Sequence, residues 1–504
     1  MFLPEVMIGK YTIESLTTGM YTDPYVIFRE YIQNAADAID EAVQLGILTR
    51  EAAYISITID SVKHRIVIED NGIGIRNDDA YQILSDIGNS RKTQGVHRGF
   101  RGIGRFSGLS YCDKLTFVTS SVESCKSYSI TFDSRKLRQL ISSDPDAVTA
   151  NDAMSKIITE HRSTSSIDTH FFRVVMDAVH EETGLLNADR VYDYLRQIAP
   201  VPFDRSFSWG QSVVDTVEKE IGKVDTYHII LISKGKRIDI TKPYTDVFLL
   251  NRQTGATDTV SGIAYFPIKG LQGQTIGIAW YGQSKFQGTI IGTEVKGIRV
   301  RVGNILVGDY TTLNHIFKDP RFNGWVIGEV YINDANLIPN ARRDDFEHND
   351  AYYLLVERLS SLAAEIVKEI RSASASRNKP LGNALHVVDS IEAKTDEVLS
   401  EERISAARKG QITSKIIRAR QQLSVQEFTG VDEEARQAAI EKLDILTGRI
   451  QESASFRALN LLPDMTKADK LLLERVFIRL LDQYPAEEAD HCIELILSVL
   501  GPRS

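Results

Sequence analysis

Apolar residues recur at helical spacing between positions 28 and 40 and define the first element of the chain. At about 100° per residue, four of them fall within one narrow stripe. These residues are Phe28, Ile32, Ala35 and Ile39. Glu30, Asn34 and Asp37 cluster on nearly the opposite side of the same helix. The pattern predicts an amphipathic helix that packs one face on a sheet and turns the other towards something polar.

Alternating apolar and polar residues follow this helix, and the alternation predicts strands. Segments 54–59 and 65–69 form a first pair with a short connection between them. Segments 114–119 and 127–132 alternate in the same way, and segment 169–176 is expected to close the sheet. Helices packed on a sheet of this kind are typical of an α+β fold.

The polar face of the first helix carries a carboxylate, an amide and a second carboxylate in line. This set suits a hydrated Mg²⁺ that holds a polyphosphate, because Mg²⁺ takes one or two protein oxygens and keeps several waters. Asn34 is then the natural direct ligand, with Asp37 beside it. Glu30, one turn earlier, is the candidate general base for a water that attacks a terminal phosphate. The alternative interpretation is an ordinary solvated helix face.

The second polar block, Asp-Asn-Gly-Ile-Gly-Ile, starts at Asp70, where a predicted strand ends. We call residues 70–75 the base loop. The Asp70 carboxylate can accept a hydrogen bond from an exocyclic amine such as that of adenine. Gly72 and Gly74 would let the backbone approach a flat ring without an intervening Cβ. Taken alone, Asp-Asn-Gly is also a common turn signal, so the block gains weight from its neighbours.

The third block is a glycine-rich loop in which Gly99, Gly102 and Gly104 are spaced as G-x-x-G-x-G. Successive backbone N–H groups without side-chain bulk can form a concave anion site. A helix starting near Arg105 would add its positive end to that site. Neither the pattern G-x-x-x-x-G-K-[ST] nor the dinucleotide fingerprint after a first strand occurs, which disfavours P-loop and Rossmann interpretations.

The three blocks, in this order and within the first 110 residues, resemble the motifs of the GHKL superfamily of ATPases. That superfamily includes gyrase-type topoisomerases, 90-kilodalton heat-shock chaperones, sensor histidine kinases and MutL repair proteins. The helix at positions 28–40 is most similar to the one in the heat-shock chaperone branch. The resemblance implies an N-terminal ATP-binding α/β sandwich of the GHKL (Bergerat) type, with ATP and Mg²⁺ as cofactors and ATP hydrolysis as its activity.

The resemblance also implies a role for each motif residue. Glu30 corresponds to the catalytic base, Asn34 to the Mg²⁺ ligand and Asp70 to the partner of the adenine amine. The loop from Gly99 to Gly104 corresponds to the segment that lies over the phosphates. All four positions match the pattern of the family, so these residues are the expected centre of the site.

The resemblance also implies three further candidates for contact with the nucleotide. Residues 88–95 are similar to a lid that closes over bound nucleotide, which makes Ser90 and Lys92 candidates for contact with the phosphates. The alternative is that both are ordinary solvated loop residues. Thr169 stands where the family has a nucleotide-contacting threonine, although Asp168 replaces the usual preceding glycine.

A second α+β module follows, rich in alternating β-branched segments from about residue 224 to 333. It ends in residues 337–347, Leu-Ile-Pro-Asn-Ala-Arg-Arg-Asp-Asp-Phe-Glu, which we call the arginine loop. This loop resembles the catalytic loop of the chaperone middle domain, where an arginine after an asparagine reaches the terminal phosphate. The match assigns that role to Arg343, with Arg342 as the adjacent alternative. An arginine–aspartate surface pair is the competing interpretation.

Two breaks predict three domains: an ATP-binding domain at 1–195, a middle domain at 205–371 and a helical C-terminal domain at 381–504. The first break is rich in proline, and the second, at 372–380, is rich in serine and alanine. The C-terminal helices carry no evident chemistry, which suggests self-association as a homodimer or binding of another protein. They do not resemble the dimerisation domain of full-length heat-shock chaperones.

Composition narrows the class of protein. The chain has 504 residues, 42% of them hydrophobic, which is enough for two or three domains with their own cores. Its net charge of −9 argues against a general nucleic-acid coat but leaves a local basic surface open. Three cysteines without metal-ligand spacing fit a reducing cytoplasm. With no apolar run near the roughly 20 residues of a bilayer span and no secretion signal, neither membrane insertion nor export is expected.

The leading hypothesis is therefore an ATP-driven conformational clamp that resembles the 90-kilodalton heat-shock chaperones and acts on client or partner proteins. One alternative is a DNA-associated ATPase of the MutL or MORC type, because residues 99–102 are similar to the MutL version of the glycine loop. The other alternative is an ATP-gated regulatory or defence scaffold, in which the helical tail recruits an effector.

Overall fold

The computed structural model describes most of the chain. The described residues are 11–16, 23–88, 102–122, 124, 126–142, 149–164, 169–401, 403–425, 431–460, 462 and 465–500. They divide into two compact units, residues 1–368 and residues 369–504. The first unit combines helices and sheets and the second is helical, so the α+β class predicted from the sequence is confirmed.

The first unit is built on an eight-stranded sheet. Its strands are Ile55–Asp60 (β1), Arg65–Asp70 (β2), Cys112–Ser120 (β3), Lys126–Asp133 (β4), Ile158–Thr164 (β5), Phe171–Val179 (β6), Ile229–Ser233 (β7) and Lys236–Asp239 (β8). Their order across the sheet is β5-β4-β3-β6-β2-β1-β7-β8. Neighbouring strands are antiparallel except for β1 and β7, which run parallel. The strand pairs predicted from alternation all lie in this sheet.

Six helices accompany this sheet: Tyr11–Leu16 (α1), Val26–Gln44 (α2), Asn77–Ser85 (α3), Ser134–Ser142 (α4), Ala150–Ile157 (α5) and Ala188–Ile198 (α6). The apolar stripe of α2 is buried as its spacing predicts, with Phe28, Ile32 and Ile39 fully inaccessible. These side chains belong to the same core as Ile57 of β1 and Ile66 of β2. Burial against the sheet therefore fixes which face of α2 remains for polar contacts.

The middle part of the chain forms a second sheet. Its strands are Gly262–Lys269 (β11), Thr275–Gln283 (β12), Gly297–Val302 (β13), Ile305–Val307 (β14) and Ile327–Ile332 (β15), in the order β11-β12-β15-β13-β14. A separate pair consists of Val247–Leu249 (β9) and Thr257–Thr259 (β10). Helix Gly210–Ile221 (α7) supplies Val213 and Val217 to a core that also contains Trp280. The arginine loop lies between β15 and the next helix.

The expected middle domain contributes two strands to the N-terminal sheet. Residues 55–59 of β1 pair with residues 229–233 of β7, which lie beyond the proline-rich break. The three-domain division thus stays a prediction, but the sheet itself runs across its first boundary. Pairing between two strands that lie this far apart in the sequence depends on tertiary packing, which sequence periodicity does not encode.

A buried ionic cluster joins the second sheet to the end of α6. Glu329 of β15 accepts hydrogen bonds from Lys242 at 2.7 Å and from Tyr331 at 2.6 Å, and it also pairs with Arg301 of β13. Arg301 in turn donates to the Gln197 carbonyl at 2.8 Å. Burial alone would raise the pKa of Glu329, but Arg301 and Lys242 outweigh it and lower the pKa to about 2. Glu329 is therefore ionised at neutral pH and neutralises buried cations.

The second unit is helical. Its helices are the later part of Asp350–Leu399 (α8), followed by Ala406–Val425 (α9), Val431–Glu452 (α10), Arg457–Asn460 (α11), Lys467–Gln483 (α12) and Ala486–Leu500 (α13). The serine- and alanine-rich segment 372–380, expected to be a break, is helical within α8. Alanine and serine are tolerated in helices, so composition alone did not identify a linker there. Among the described residues, no helix is long and apolar enough to cross a membrane.

Replacing Glu329 by glutamine should destabilise the first unit by about 3–5 kcal/mol, because it leaves Arg301 and Lys242 buried without their carboxylate. The pKa of Glu329 in the folded protein lies below its ordinary value of 4.5, so its contribution is complete above that pH and is lost as the pH falls towards 2. Thermal unfolding measured between pH 3 and 7 should show that the melting temperature of E329Q falls less with decreasing pH than that of the natural protein.

The exposed residue Glu357 provides the control for this experiment, since its side chain is 68% accessible. E357Q should shift the unfolding free energy by less than about 0.5 kcal/mol. Equal stability of E329Q and E357Q at pH 7 would contradict the assigned role of the buried cluster.

Candidate functional site

The polar side chains of α2 are buried rather than solvated. Glu30 is 8% exposed and Asp37 is 7% exposed, while Asn34 is half-buried between them. The solvated-face interpretation is therefore wrong for this helix. Buried carboxylates need partners or a ligand, because transfer of a charge from water is costly. The row of polar side chains that the sequence predicts is thus largely buried.

The Glu30 carboxylate lies against the glycine-rich segment. A Cβ built on Gly104 would lie 1.9 Å from Oε2 of Glu30, so any larger residue at position 104 would displace the carboxylate. The other carboxylate oxygen, Oε1, has no hydrogen-bond partner in the described part of the chain. It lies 3.7 Å from Nε of Arg343. The Glu30 carboxylate thus lies between the glycine-rich segment and the arginine loop.

Arg343 reaches this carboxylate from the arginine loop. Its side chain is 11% exposed, whereas Arg342 is exposed, so the geometry favours Arg343 over its neighbour. The backbone of Arg343 has a φ of 57°, a left-handed conformation that costs a non-glycine residue roughly 1–2 kcal/mol. Its N–H donates to the Asn340 carbonyl at 3.1 Å, and its carbonyl accepts from Gly308 N–H at 2.8 Å. The loop is therefore a tight turn that aims one guanidinium inwards.

Tyr31, also on α2, ties the glycine-rich segment to the helix. Its hydroxyl donates to the Arg105 carbonyl at 3.0 Å and accepts from Gly108 N–H at 3.2 Å. Burial raises the pKa of Tyr31, so the hydroxyl keeps its proton. Residues Gly104–Ser110 form a 3₁₀ helix, close to the helix expected near Arg105. The role of Tyr31 is not predictable from the sequence, because an aromatic residue in an amphipathic helix is ordinarily explained by packing alone.

The base loop lies against α2 at a position one turn beyond Asn34. Ile73 N–H donates to the Ala38 carbonyl at 3.1 Å, and a Cβ on Gly72 would lie 2.7 Å from Ala38. Asp70 is 3% exposed at the end of β2, and its Oδ1 accepts from Gly72 N–H at 2.9 Å. The base loop and Glu30 therefore lie along the same side of one helix, as a single nucleotide site requires.

Gly74 has a structural requirement of its own. Its φ is +68°, and a Cβ built there would lie 1.9 Å from the carbonyl oxygen of Ser120. His170 contacts the same loop, with Nδ1 at 2.8 Å from the Gly72 carbonyl oxygen. Packing of the loop against β3 and the start of β6 thus already demands glycine at position 74. Close approach to a flat ring remains a prediction for this residue.

The remaining predicted contacts divide into two groups. Thr169 is half-buried immediately before β6, next to His170, and Gly102 has a φ of +72° at the start of the described glycine segment. Ser90, Lys92 and Gly99 lie outside the described residues. Among the described residues, no group of three His, Cys, Asp or Glu side chains could hold a metal ion by itself. The Mg²⁺ role expected for Asn34, with Asp37 beside it, remains a prediction.

Residues 22–166 match the family model described as histidine kinase-, DNA gyrase B- and HSP90-like ATPase. This range contains the polar row of α2, the base loop and the glycine-rich segment. The N-terminal part of the chain is therefore a domain of the GHKL ATPase superfamily, and the resemblance based on the three motifs is confirmed.

Curated relatives place this domain near one branch of the superfamily. Chaperone protein HtpG of Clostridium acetobutylicum is 28% identical over 136 residues, which is 24% of this chain and 22% of that protein. HtpG of Chlorobium phaeobacteroides is 30% identical over 132 residues, or 22% of this chain and 21% of the relative. HtpG of Rhizobium meliloti is 31% identical over 120 residues, or 20% and 19%. The chain spans about a fifth of the length of the curated relatives it matches.

Replacing Gly74 by alanine should destabilise the N-terminal domain more than the same change at Gly46. Both glycines have similar backbone angles, with φ of +68° and +72°, but Gly46 has no atom within 4 Å of a built Cβ. Backbone strain should therefore be common to the two variants, and the overlap with Ser120 should add about 1–3 kcal/mol to G74A alone. Thermal unfolding of both variants measures the difference, and equal losses would contradict the packing described for Gly74.

Proposed function

We propose that this chain binds and hydrolyses ATP and acts as a conformational clamp similar to the 90-kilodalton heat-shock chaperones, remodelling client or partner proteins. The observation that carries the proposal is the meeting of Glu30 and Arg343. Their side chains belong to the ATPase domain and to the arginine loop, 313 residues apart in sequence, and lie 3.7 Å apart. The named relatives are chaperones, which supports the same conclusion for the part of the chain that matches them.

Each residue predicted to contact the nucleotide has a role in this proposal. Asn34 would hold Mg²⁺ with Asp37 beside it, and Asp70 would accept the hydrogen bond of the adenine amine. The Gly102–Gly104 segment would present backbone N–H groups to the phosphates, with Gly99, Ser90 and Lys92 from the preceding loop. ATP supplies the phosphoanhydride bond that is cleaved.

Hydrolysis would depend on the two opposed charges. Glu30, whose Oε1 has no hydrogen-bond donor in the described ranges, would accept the proton of the attacking water. Arg343 would contact the terminal phosphate and stabilise the charge that develops on it. Phosphate release would return the Arg343 guanidinium to Glu30, so the nucleotide state would set how firmly the arginine loop is held.

The remaining assignments extend the same proposal. The helical second unit would bind a client or partner protein, or pair two copies of the chain as a homodimer. A cytoplasmic location agrees with the free thiols of Cys112 and Cys492, since reduced cysteines are typical of that compartment. DNA binding is not needed for any step that we propose.

Replacing Glu30 by alanine should leave ATP binding intact and lower the hydrolysis rate by about 10²–10⁴-fold, the usual contribution of a positioned general base. Isothermal titration calorimetry measures the binding, and phosphate release measures the rate. Glu41 is the control because it lies on the same helix and is exposed. E41A should hydrolyse ATP at the natural rate, and persistent hydrolysis by E30A would remove Glu30 from its role.

Replacing Asp70 by asparagine should weaken ATP binding by about 10- to 100-fold, as expected for loss of a hydrogen bond to a charged acceptor. The asparagine amide oxygen can still accept from Gly72 N–H, so the base loop itself should survive. Titration with ATP and with GTP tests the contact. D78N, at an exposed position in the first turn of α3, should bind ATP normally. Natural ATP affinity in D70N would place the base elsewhere.

A further inference from the structure

Arg29, which precedes the candidate general base Glu30 on α2, forms hydrogen bonds with the backbone of the arginine loop. Its Nη1 donates to the Arg343 carbonyl at 3.0 Å, and its Nη2 donates to the Arg342 carbonyl at 2.7 Å. The Arg29 residue is 4% exposed. Two parallel N–H groups thus bind two consecutive carbonyls, a geometry that matches the planar fork of a guanidinium.

The charge of Arg29 is not used in an ion pair. Among the described residues, no carboxylate forms a salt bridge with Arg29, and its Nε has no hydrogen-bond partner. A buried cation without a counter-charge is unfavourable and is retained where it serves another purpose. The cluster around Glu329 shows the contrast, because its buried cations share a carboxylate. Pure stabilisation is therefore a poor explanation for an arginine at position 29.

The contact determines where the Arg343 side chain points. The Arg343 carbonyl accepts from Gly308 N–H at 2.8 Å and from Arg29, and these two donors hold a residue whose φ is 57°. A left-handed conformation at a residue with a side chain persists only where surrounding contacts impose it. If the carbonyl were released, the peptide could relax and the Arg343 guanidinium would leave Glu30.

We propose that Arg29 is a positioning residue for ATP hydrolysis, which binds the carbonyls of Arg342 and Arg343 and thereby holds the Arg343 guanidinium opposite Glu30. The inference rests on the proposed ATPase function for its kinetic consequence, whereas the backbone contact can be tested separately. Arg29 acts through Arg343 and does not itself react. A lysine at position 29 would offer one ammonium group in place of the fork, so it should not replace the arginine.

Kinetics separate positioning from general stability. R29A and R29K should bind ATP with natural affinity and show a kcat lowered about 10- to 100-fold, the effect of misplacing a catalytic group by about 1 Å. In a background that already carries R343A, R29A should have no further effect on kcat, because its target is gone. A merely structural role would lower the melting temperature and leave kcat unchanged below that temperature.

Arg50 offers a matched control. It contacts Asp40 of α2 at 2.7 Å and Asp225 at 3.4 Å, so it too joins α2 to the middle part of the chain, but it makes no contact with the arginine loop. R50K should leave kcat within about twofold of the natural value, since it does not alter the position of Arg343.

Hydrogen exchange in the absence of nucleotide tests the contact independently of activity. The Gly308 amide and the amides of the arginine loop should lose protection in R29A and R29K and keep it in R50K. Unchanged protection together with unchanged kcat would overturn the inference and leave the proposed ATPase function intact. A natural protein that does not hydrolyse ATP would refute the proposed function, and the exchange result would still decide whether Arg29 holds the loop.

Discussion

Burial of most of α2 is the constraint from which the rest of the site follows. One face of this helix packs on the eight-stranded sheet, and several polar groups on its remaining surface bind other parts of the chain. Arg29 binds the arginine loop, Tyr31 binds the glycine-rich 3₁₀ helix, and Asp40 accepts a hydrogen bond from Tyr227 at 2.7 Å. Three segments that are distant in sequence are thereby held on a single helix, which also carries the candidate catalytic carboxylate.

Two buried clusters in the first unit differ in how fully their carboxylates are paired with hydrogen-bond donors. Glu329 accepts from Lys242 and Tyr331 and pairs with Arg301, and such a cluster rigidifies the fold. Around Glu30 the hydrogen bonding is incomplete, since Oε1 lacks a donor among the residues that the structure describes and lies 3.7 Å from Nε of Arg343. Incomplete pairing is unfavourable in a purely structural setting, and departures from local rules concentrate where a protein handles a ligand. The contrast within one unit supports a functional interpretation of the second cluster.

Periodicity predicted what depends on local sequence. The apolar stripe of α2 and the β1–β2 pair lie where the pattern places them. Contacts between distant segments were beyond its reach, because no local signal links Arg29 to carbonyls 313 and 314 residues away. The parallel pairing of β1 with β7 also joins segments that are distant in sequence, so local periodicity does not predict it. Residues 372–380 are helical where composition predicts a break, because serine and alanine are compatible with a helix as well as with a linker.

The pairing of β1 with β7 has a consequence for how the chain is made. While a ribosome is still adding residues before position 229, β1 is an unprotected edge of an otherwise assembled sheet, with its N–H and C=O groups open to any extended peptide. Nascent chains of this protein therefore pass through a stage at which they can cross-pair with one another. A fragment that ends at the proline-rich segment would lack β7 and would keep this edge of the sheet open.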